Sequence, residues 1–264
     1  MAAAENKTTL DQLRRIRGID VDTSERLALF RRKIVTVEAG DTIIFEGQEK
    51  RRGYFLCSGW ASSVRHLIDG SDQILDVRIP GDFIGISDMR LKHAPHATEA
   101  ITRVELAPIS FRALLSMRAG AGHLAEAILF SINCDMAIIS EHLVGVARRN
   151  PQVRTAHFLL ELSERLTRVG IDDPDCFHCP LSQYLMADVL GLTAVHLNRT
   201  LRQLRERGFV SFKSATVDIH DRPGMIAFAG FDPSYLHQAQ SRSAISGVAG
   251  PDGRTNGDGY FRAN

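Results

Sequence analysis

What this chain of 264 residues lacks narrows its function before any motif is read. No run approaches the roughly 20 consecutive apolar residues of a membrane-spanning helix. The opening MAAAENKTTLDQL has neither the apolar centre nor the cleavage pattern of a signal peptide. A cytoplasmic protein with no membrane partner is expected. Cysteine is scarce: Cys57, Cys134, Cys176 and Cys179 are too few and too scattered for a disulfide framework, which agrees with a reducing compartment. Neither sign of charge dominates. A formal net charge of +1 leaves any attraction to a polyanion to local patches. No glycine-rich phosphate loop, nucleophile motif or pair of carboxylates stands out, so an enzyme is not expected.

With 44% hydrophobic and 24% charged residues, the chain is ordinary globular material, long enough for two modest cores and two domains. The segments 34–37, 42–45, 54–57, 61–66, 73–79 and 104–109 are short and apolar or β-branched. Gly40-Asp41, Gly47, Gly59, Gly70 and Pro80-Gly81-Asp82 separate them. Turn spacing this regular reads as a β barrel, roll or sandwich. Before it, 10–30 has helical spacing and is expected to pack one or two helices on the roll. After Ser110 the texture changes, and 111–149 contains no proline. Ala125, Ile128, Ile132, Asp135, Ile139, His142 and Val146 follow steps of three and four, the seam of a helix that meets a partner helix. A neighbouring row, Leu129, Met136 and Leu143, is assigned to the face toward the roll. Asp135 and His142 are read as polar positions that set the register of the seam. Asn150-Pro151 ends the pattern, because proline removes a donor and disfavours helix at the residue before it. A hinge is expected there, then a helix over 153–169 with Ala156, Leu159, Leu160 and Leu166 on its inner face. Beyond Leu236 the chain is rich in glycine, serine and polar residues and reads as a disordered tail.

The stretch 181–210, LSQYLMADVLGLTAVHLNRTLRQLRERGFV, sets a small-residue turn between two short helical segments and loads the second with arginine. A helix-turn-helix needs a small residue where the helices cross, a turn residue that tolerates a left-handed backbone, and an apolar inner stripe. Ala187, Gly191 and Leu197 fall at those places, with Met186, Leu190, Leu192, Leu201 and Leu204 completing the core. Thr193 caps the second helix. The outward face then presents Val195, His196, Asn198, Arg199, Arg202 and Arg205, chemistry that fits a DNA major groove. Ser182 and Gln183, which open the first helix, join Thr193 as candidate DNA contacts. The segments 208–213 and 215–220 read as a wing on which Lys213 reaches phosphate.

This order of parts resembles the Crp/Fnr family of bacterial transcription regulators over roughly residues 20 to 235. GDTIIFEGQ, DQILDVRIPGDFIG and GLTAVHLNRTLRQLRERG carry the likeness. The resemblance implies an α+β chain. Residues 1–110 would form a cyclic-nucleotide-binding-like β roll with N-terminal helices and 111–150 a dimerisation helix. Residues 151–236 would be a winged helix-turn-helix, and 237–264 a tail. It implies a homodimer on double-stranded DNA, RNA polymerase as a further partner, and a signal at the roll that resets the spacing of two recognition helices. The family arginine that reads guanine matches Arg199. Members often carry glutamate four residues earlier, where Val195 stands, so a different half-site is expected.

The family's effector pocket maps onto Gly81, Asp82, Phe83, Gly85 and Ile86. Members that bind cyclic AMP follow the glycine with glutamate and use an arginine on the cyclic phosphate. Here Ile86 follows Gly85 and LKHAPHATEA has no arginine, so another effector, or none, is expected. An iron–sulfur cluster of the family's design is not expected, since no cysteine precedes Cys57. The cofactor is left unknown. Cys176 and Cys179, in C-x-x-C spacing around His178, lack the further ligands of a zinc site. His93 and His96 read as loop histidines; no metal site is assigned. The alternative is an effector-binding or protein-interaction module whose helical end does not bind DNA specifically.

Overall fold

The computed structural model describes residues 34–49, 52–87, 89–110 and 122–237. Its first part is a roll of eight strands: β1 (Val35–Val37), β2 (Thr42–Ile44), β3 (Arg52–Ser58), β4 (Ala61–His66), β5 (Asp72–Arg78), β6 (Phe83–Ile84), β7 (Ala97–Ala100) and β8 (Val104–Ser110). They form two antiparallel sheets, ordered β1-β8-β3-β6 and β2-β7-β4-β5. The six strands expected from the sequence are present to within two residues at each end. β6 and β7 were not expected. Ala-Thr-Glu-Ala has little strand propensity, and its pairing with β2 on one side and β4 on the other makes β7 a strand. Gly59 turns β3 into β4 at φ +81°, where a Cβ would strike the Arg103 carbonyl. The helices expected over 10–30, residues 111–121 and the tail from 238 onward lie outside the described residues.

One core fills the roll, around Ile44, Leu56, Ile84, Val104 and Leu106. The second crosses from the roll into the C-terminal part: Trp60, Val64, Ile74, Val77 and Ile79 pack in one cluster with Ile138, Phe158, Leu159, Leu162, Leu197 and Leu204. This explains why β4 loses the in–out alternation of a half-buried strand. Ala61, Ser62, Ser63 and Val64 are all buried because both faces of the sheet are covered.

Helix α1 (Gly122–Arg148) is followed after two residues by α2 (Pro151–Arg168). The break is built locally. Asn150 is extended and accepts from the Val153 amide at 3.0 Å, and Pro151 sits in the first turn, where its missing amide costs nothing. Arg154 donates to the Gly145 and Val146 carbonyls at 3.2 and 3.3 Å, so a charge on α2 closes the C-terminal end of α1.

The orientation of α1 corrects the expected seam. Leu129, Met136 and Leu143, assigned to the roll, are 60%, 63% and 69% exposed. Asp135 and His142, assigned to the partner face, point inward and pair with Arg78 and Glu161. Ile128 and Ile132 are half-buried, Ile139 and Val146 are exposed, and the Ala125 side chain lies outside the described residues. The outward row is therefore Leu129, Ile132, Met136, Ile139, Leu143 and Val146, which keeps the steps of three and four in another frame. Moving one residue along a helix turns the face by about 100°, and only the inward partners choose between the frames. By length and composition alone Ile128–Arg148, with mean hydropathy 1.3, is apolar enough to cross a membrane. Its inner face instead carries buried ion pairs to the roll and to α2.

The remainder is β9 (Cys176–His178), α3 (Gln183–Val189), α4 (Ala194–Glu206), β10 (Val210–Lys213), β11 (Thr216–Ile219), α5 (Arg222–Ala229) and a 3₁₀ turn at Pro233–Leu236. The wing is a sheet of three strands, ordered β10-β11-β9, with Phe177 opposite Val217. Neither β9 nor α5 was read from the sequence.

Candidate nucleic-acid interface

Helix α3 begins where Ser182 accepts from the Leu185 amide at 3.1 Å, and α4 where Thr193 accepts from the His196 amide at 3.2 Å. Between them Gly191 sits at φ +58°. A β-branched residue would resist that conformation. Leu197, Thr200 and Leu204 are buried on the inner side of α4, and Leu201 is half-buried. The hydroxyl of Thr200 is satisfied by the His196 carbonyl at 2.9 Å. Fixing the inner side fixes the outer one: Val195, His196, Asn198, Arg199, Arg202 and Arg205 are all exposed, as expected.

Two outer side chains are already tethered. Asn198 donates to Gln183 Oε1 at 2.9 Å, joining the two helices on the exposed side. Arg202 pairs with Glu206 at 2.8 Å, a turn further along α4. Lys213 is exposed at the wing tip, where Ser214 and Ala215 turn the chain at φ 50° and 59°. Arg207 lies over the Phe228 ring at 5.0 Å, which ties the end of α4 to α5. Sequence reasoning missed Glu206 as the partner of Arg202, although the i,i+4 spacing carries that signal. It also missed Tyr184, which is exposed beside Gln183.

A capped two-helix unit with a glycine turn, followed by a strand wing and preceded by a two-sheet roll, now has counterparts. Residues 153–228 match the model of a Crp-like helix-turn-helix domain, and residues 34–120 that of a cyclic nucleotide-binding domain. The chain belongs to the Crp/Fnr family. It is a transcription regulator with a helix-turn-helix DNA-binding domain. The fumarate and nitrate reduction regulatory protein of Escherichia coli is 22% identical over 74% of this chain and 77% of its own length. The anaerobic regulatory protein of Haemophilus influenzae is 24% identical over 85% and 82%. The solved structure of FixK2 from Bradyrhizobium japonicum has the same fold, with a TM-score of 0.65 and 23% identity over 74% of this chain and 96% of that one.

In this Crp/Fnr chain the residues of the expected effector pocket lie in and beside β6. Phe83 is buried edge-on to Phe55 at 5.4 Å, Ile86 is buried, and Gly81 and Gly85 take positive φ. The Asp82 carboxylate accepts from the Ile79 amide at 2.9 Å and from Arg165 of α2 at 2.8 Å. It lines an open cleft with Ile79, Cys134, Asp135, Arg165 and Arg168 whose volume, about 30 Å³, has room for a water.

Around that cleft the family architecture hides a cluster of charges. Arg78 bridges Asp135 at 2.8 Å and Asp76 at 3.5 Å. Arg165 reaches Asp82 at 2.8 Å and Asp76 and Glu161 at 3.5 Å, and donates to the Val77 carbonyl at 2.8 Å. His142 meets Glu161 at 3.2 Å, and the Tyr235 hydroxyl donates to the same carboxylate at 2.9 Å. Two arginines thus face four carboxylates. Burial raises Asp135 to about 6, helped by Asp82 and Asp76 and opposed by Arg78. Burial works to lower His142, and Glu161 outweighs it, so the imidazole is held above its usual value. For Glu161 burial works upward, and His142 and Arg165 outweigh it, holding the carboxyl low. Burial takes His157 the other way, down to about 4. A second tie crosses between the same parts: Asp188 of α3 accepts from the Ile74 amide of β5 at 3.1 Å, and Gln73 donates to the Asp188 carbonyl at 3.1 Å.

The C-x-x-C pair falls on different ground. Cys176 is exposed in β9, its thiol raised by a hydrogen bond with Asp218. Cys179 is buried, which pushes it up to about 12. Both shifts disfavour the thiolate that metal binding and exchange require. His93 is exposed and bridges backbone to Glu49, and His96 stands just before β7.

Proposed function

We propose that the protein works as a homodimer on a pseudo-palindromic operator, with α4 of each copy in the major groove. The observation that carries this reading is the exposure of Asn198 and Arg199 on a helix whose cap, turn and buried leucines leave it no other orientation. Arg199 forks onto guanine, while Ser182, Gln183, Thr193 and Lys213 hold phosphates. His196 and Arg202 flank the reading position. The apolar outward row of α1 supports the dimer, since a stripe from Leu129 to Val146 is removed from water by a twofold copy of itself. In this division the roll, 1–110, senses, 111–150 dimerises and 151–236 binds DNA. RNA polymerase is the further partner, the chain is not an enzyme, and it acts in the cytoplasm. Cyclic AMP is not the effector: Ile86 gives its ribose no carboxylate, and a buried cyclic phosphate without a cation is costly.

The test is selection of bound sequences from a pool of randomised duplexes, then titration of the winner and of a random duplex. Enrichment of an inverted repeat is expected. Arg199→Ala should weaken the winner by about 1–3 kcal/mol per half-site and flatten preference at one base pair. Equal weakening on both duplexes would remove Arg199 from the reading role.

A further inference from the structure

Val195 occupies the first turn of α4 and is 82% exposed, yet it stands on the same face as Asn198, Arg199 and Arg202, at spacings of three, four and seven. An exposed β-branched residue contributes nothing to this helix. Its stiff side chain is a poorer helix former than alanine by up to about 0.7 kcal/mol, and its methyls lie in water. The polar neighbours do not cover it. Asn198 is drawn toward Gln183 on α3, and Arg202 toward Glu206 at the C-terminal end of α4. Beside the exposed His196, the leading edge of the face that enters the groove therefore presents a hydrocarbon side chain at Val195. In the major groove the apolar group that such a side chain can pack on and tell apart is the 5-methyl of thymine.

We propose that Val195 is a specificity-determining residue that packs on a thymine methyl next to the base pair read by Arg199. The assignment rests on the DNA-binding reading above and adds a chemical identity to one position of the half-site. Valine offers no donor or acceptor, so it selects thymine by contact and leaves cytosine's amino group without a partner. The tether between Gln183 and Asn198 keeps the asparagine from folding over the valine.

The experiment replaces each thymine of the selected operator in turn by deoxyuridine, which removes the methyl and leaves the hydrogen-bonding edge intact. The wild-type dimer is expected to lose about fourfold in affinity per half-site at one position, the worth of one buried methyl. Val195→Ala should bind thymine and uracil operators equally, and Arg199→Ala should keep the difference. Alanine is the better helix former, so the variant stays folded. Insensitivity of the wild type to uracil at every position, or a uracil penalty that persists in Val195→Ala, overturns the assignment. A lighter sedimenting species for Val195→Ala overturns it too, by making the valine a protein contact. Failure to enrich any sequence instead sinks the DNA-binding reading on which it rests.

Discussion

Helices α1 and α4 distribute polarity in opposite senses. On α4 the leucines face in and the arginines face out, the usual arrangement of a surface helix. On α1 the inner side carries Ser131, Cys134, Asp135 and His142 beside Ile138, while Leu129, Met136, Ile139, Leu143 and Val146 face out. A monomer gains nothing from either outer face. Arginines in water need no explanation, but an apolar row in water does, because each exposed aliphatic side chain forgoes about 1.5–3 kcal/mol of burial. The inner face of α1 supports polar groups only because the roll and α2 bring Arg78 and Glu161 to meet them.

The sharpest way to break this contrast is to give α1 a polar outer face. Ile139→Asp places a charge twice across the proposed twofold axis, and at several kcal/mol per buried ion the dimer should lose more than about 4 kcal/mol. Sedimentation should then find monomers at micromolar concentration with an unchanged circular dichroism spectrum. The inner face is broken by Arg165→Met, which leaves Asp76, Asp82 and Glu161 without their shared cation. A stability loss of about 3–5 kcal/mol is expected in urea unfolding, and a loss below 1 kcal/mol would mean that the cluster relaxes into water.

Asp135 sharpens the comparison through pH. Its carboxyl rises from the ordinary 3.8 to about 6 on burial. An acid raised by folding stabilises the fold fully below its unfolded pKa and withdraws that contribution as pH climbs through the folded one. The stability of the wild type relative to Asp135→Asn should therefore fall by about 1 kcal/mol between pH 5 and 7. Taking the difference sets aside His142, which shifts stability in the same direction, and His157, which opposes it. A flat difference would place the carboxylate in better solvation than its surroundings give it. The smallest effect belongs to the wing. Lys213→Ala should weaken specific and random duplexes alike and lower the slope of log affinity against log salt by roughly one, read from titrations at several salt concentrations.

Much of the DNA-binding end was legible in the amino acids. Ser182, Thr193 and Gly191 act through neighbours two to four residues away, and Leu197 and Leu204 lie two helical turns apart on one face, so local pattern sufficed. The roll's strands were visible wherever a β-branched run met a turn. β7 and β9 were not, because Ala-Thr-Glu-Ala and Cys-Phe-His become strands only when β2, β4 and β11 offer their edges. The inward pairing of Asp135 and His142 was misread for a related reason: their partners come from distant segments.

The sequence by itself determined the family, the order of the parts and the identity of the side chains that α4 turns outward. Each of these depends on periodicity, capping and turn chemistry, which act within a few residues. Only the tertiary structure decided which way α1 faces, that one core crosses from the roll into the DNA-binding part, and that two arginines and four carboxylates meet there. Helical spacing tells which residues share a face. The direction in which that face points is a choice among partners, settled by the cost of leaving Asp135, Glu161, Arg78 or Arg165 buried without a counter-charge.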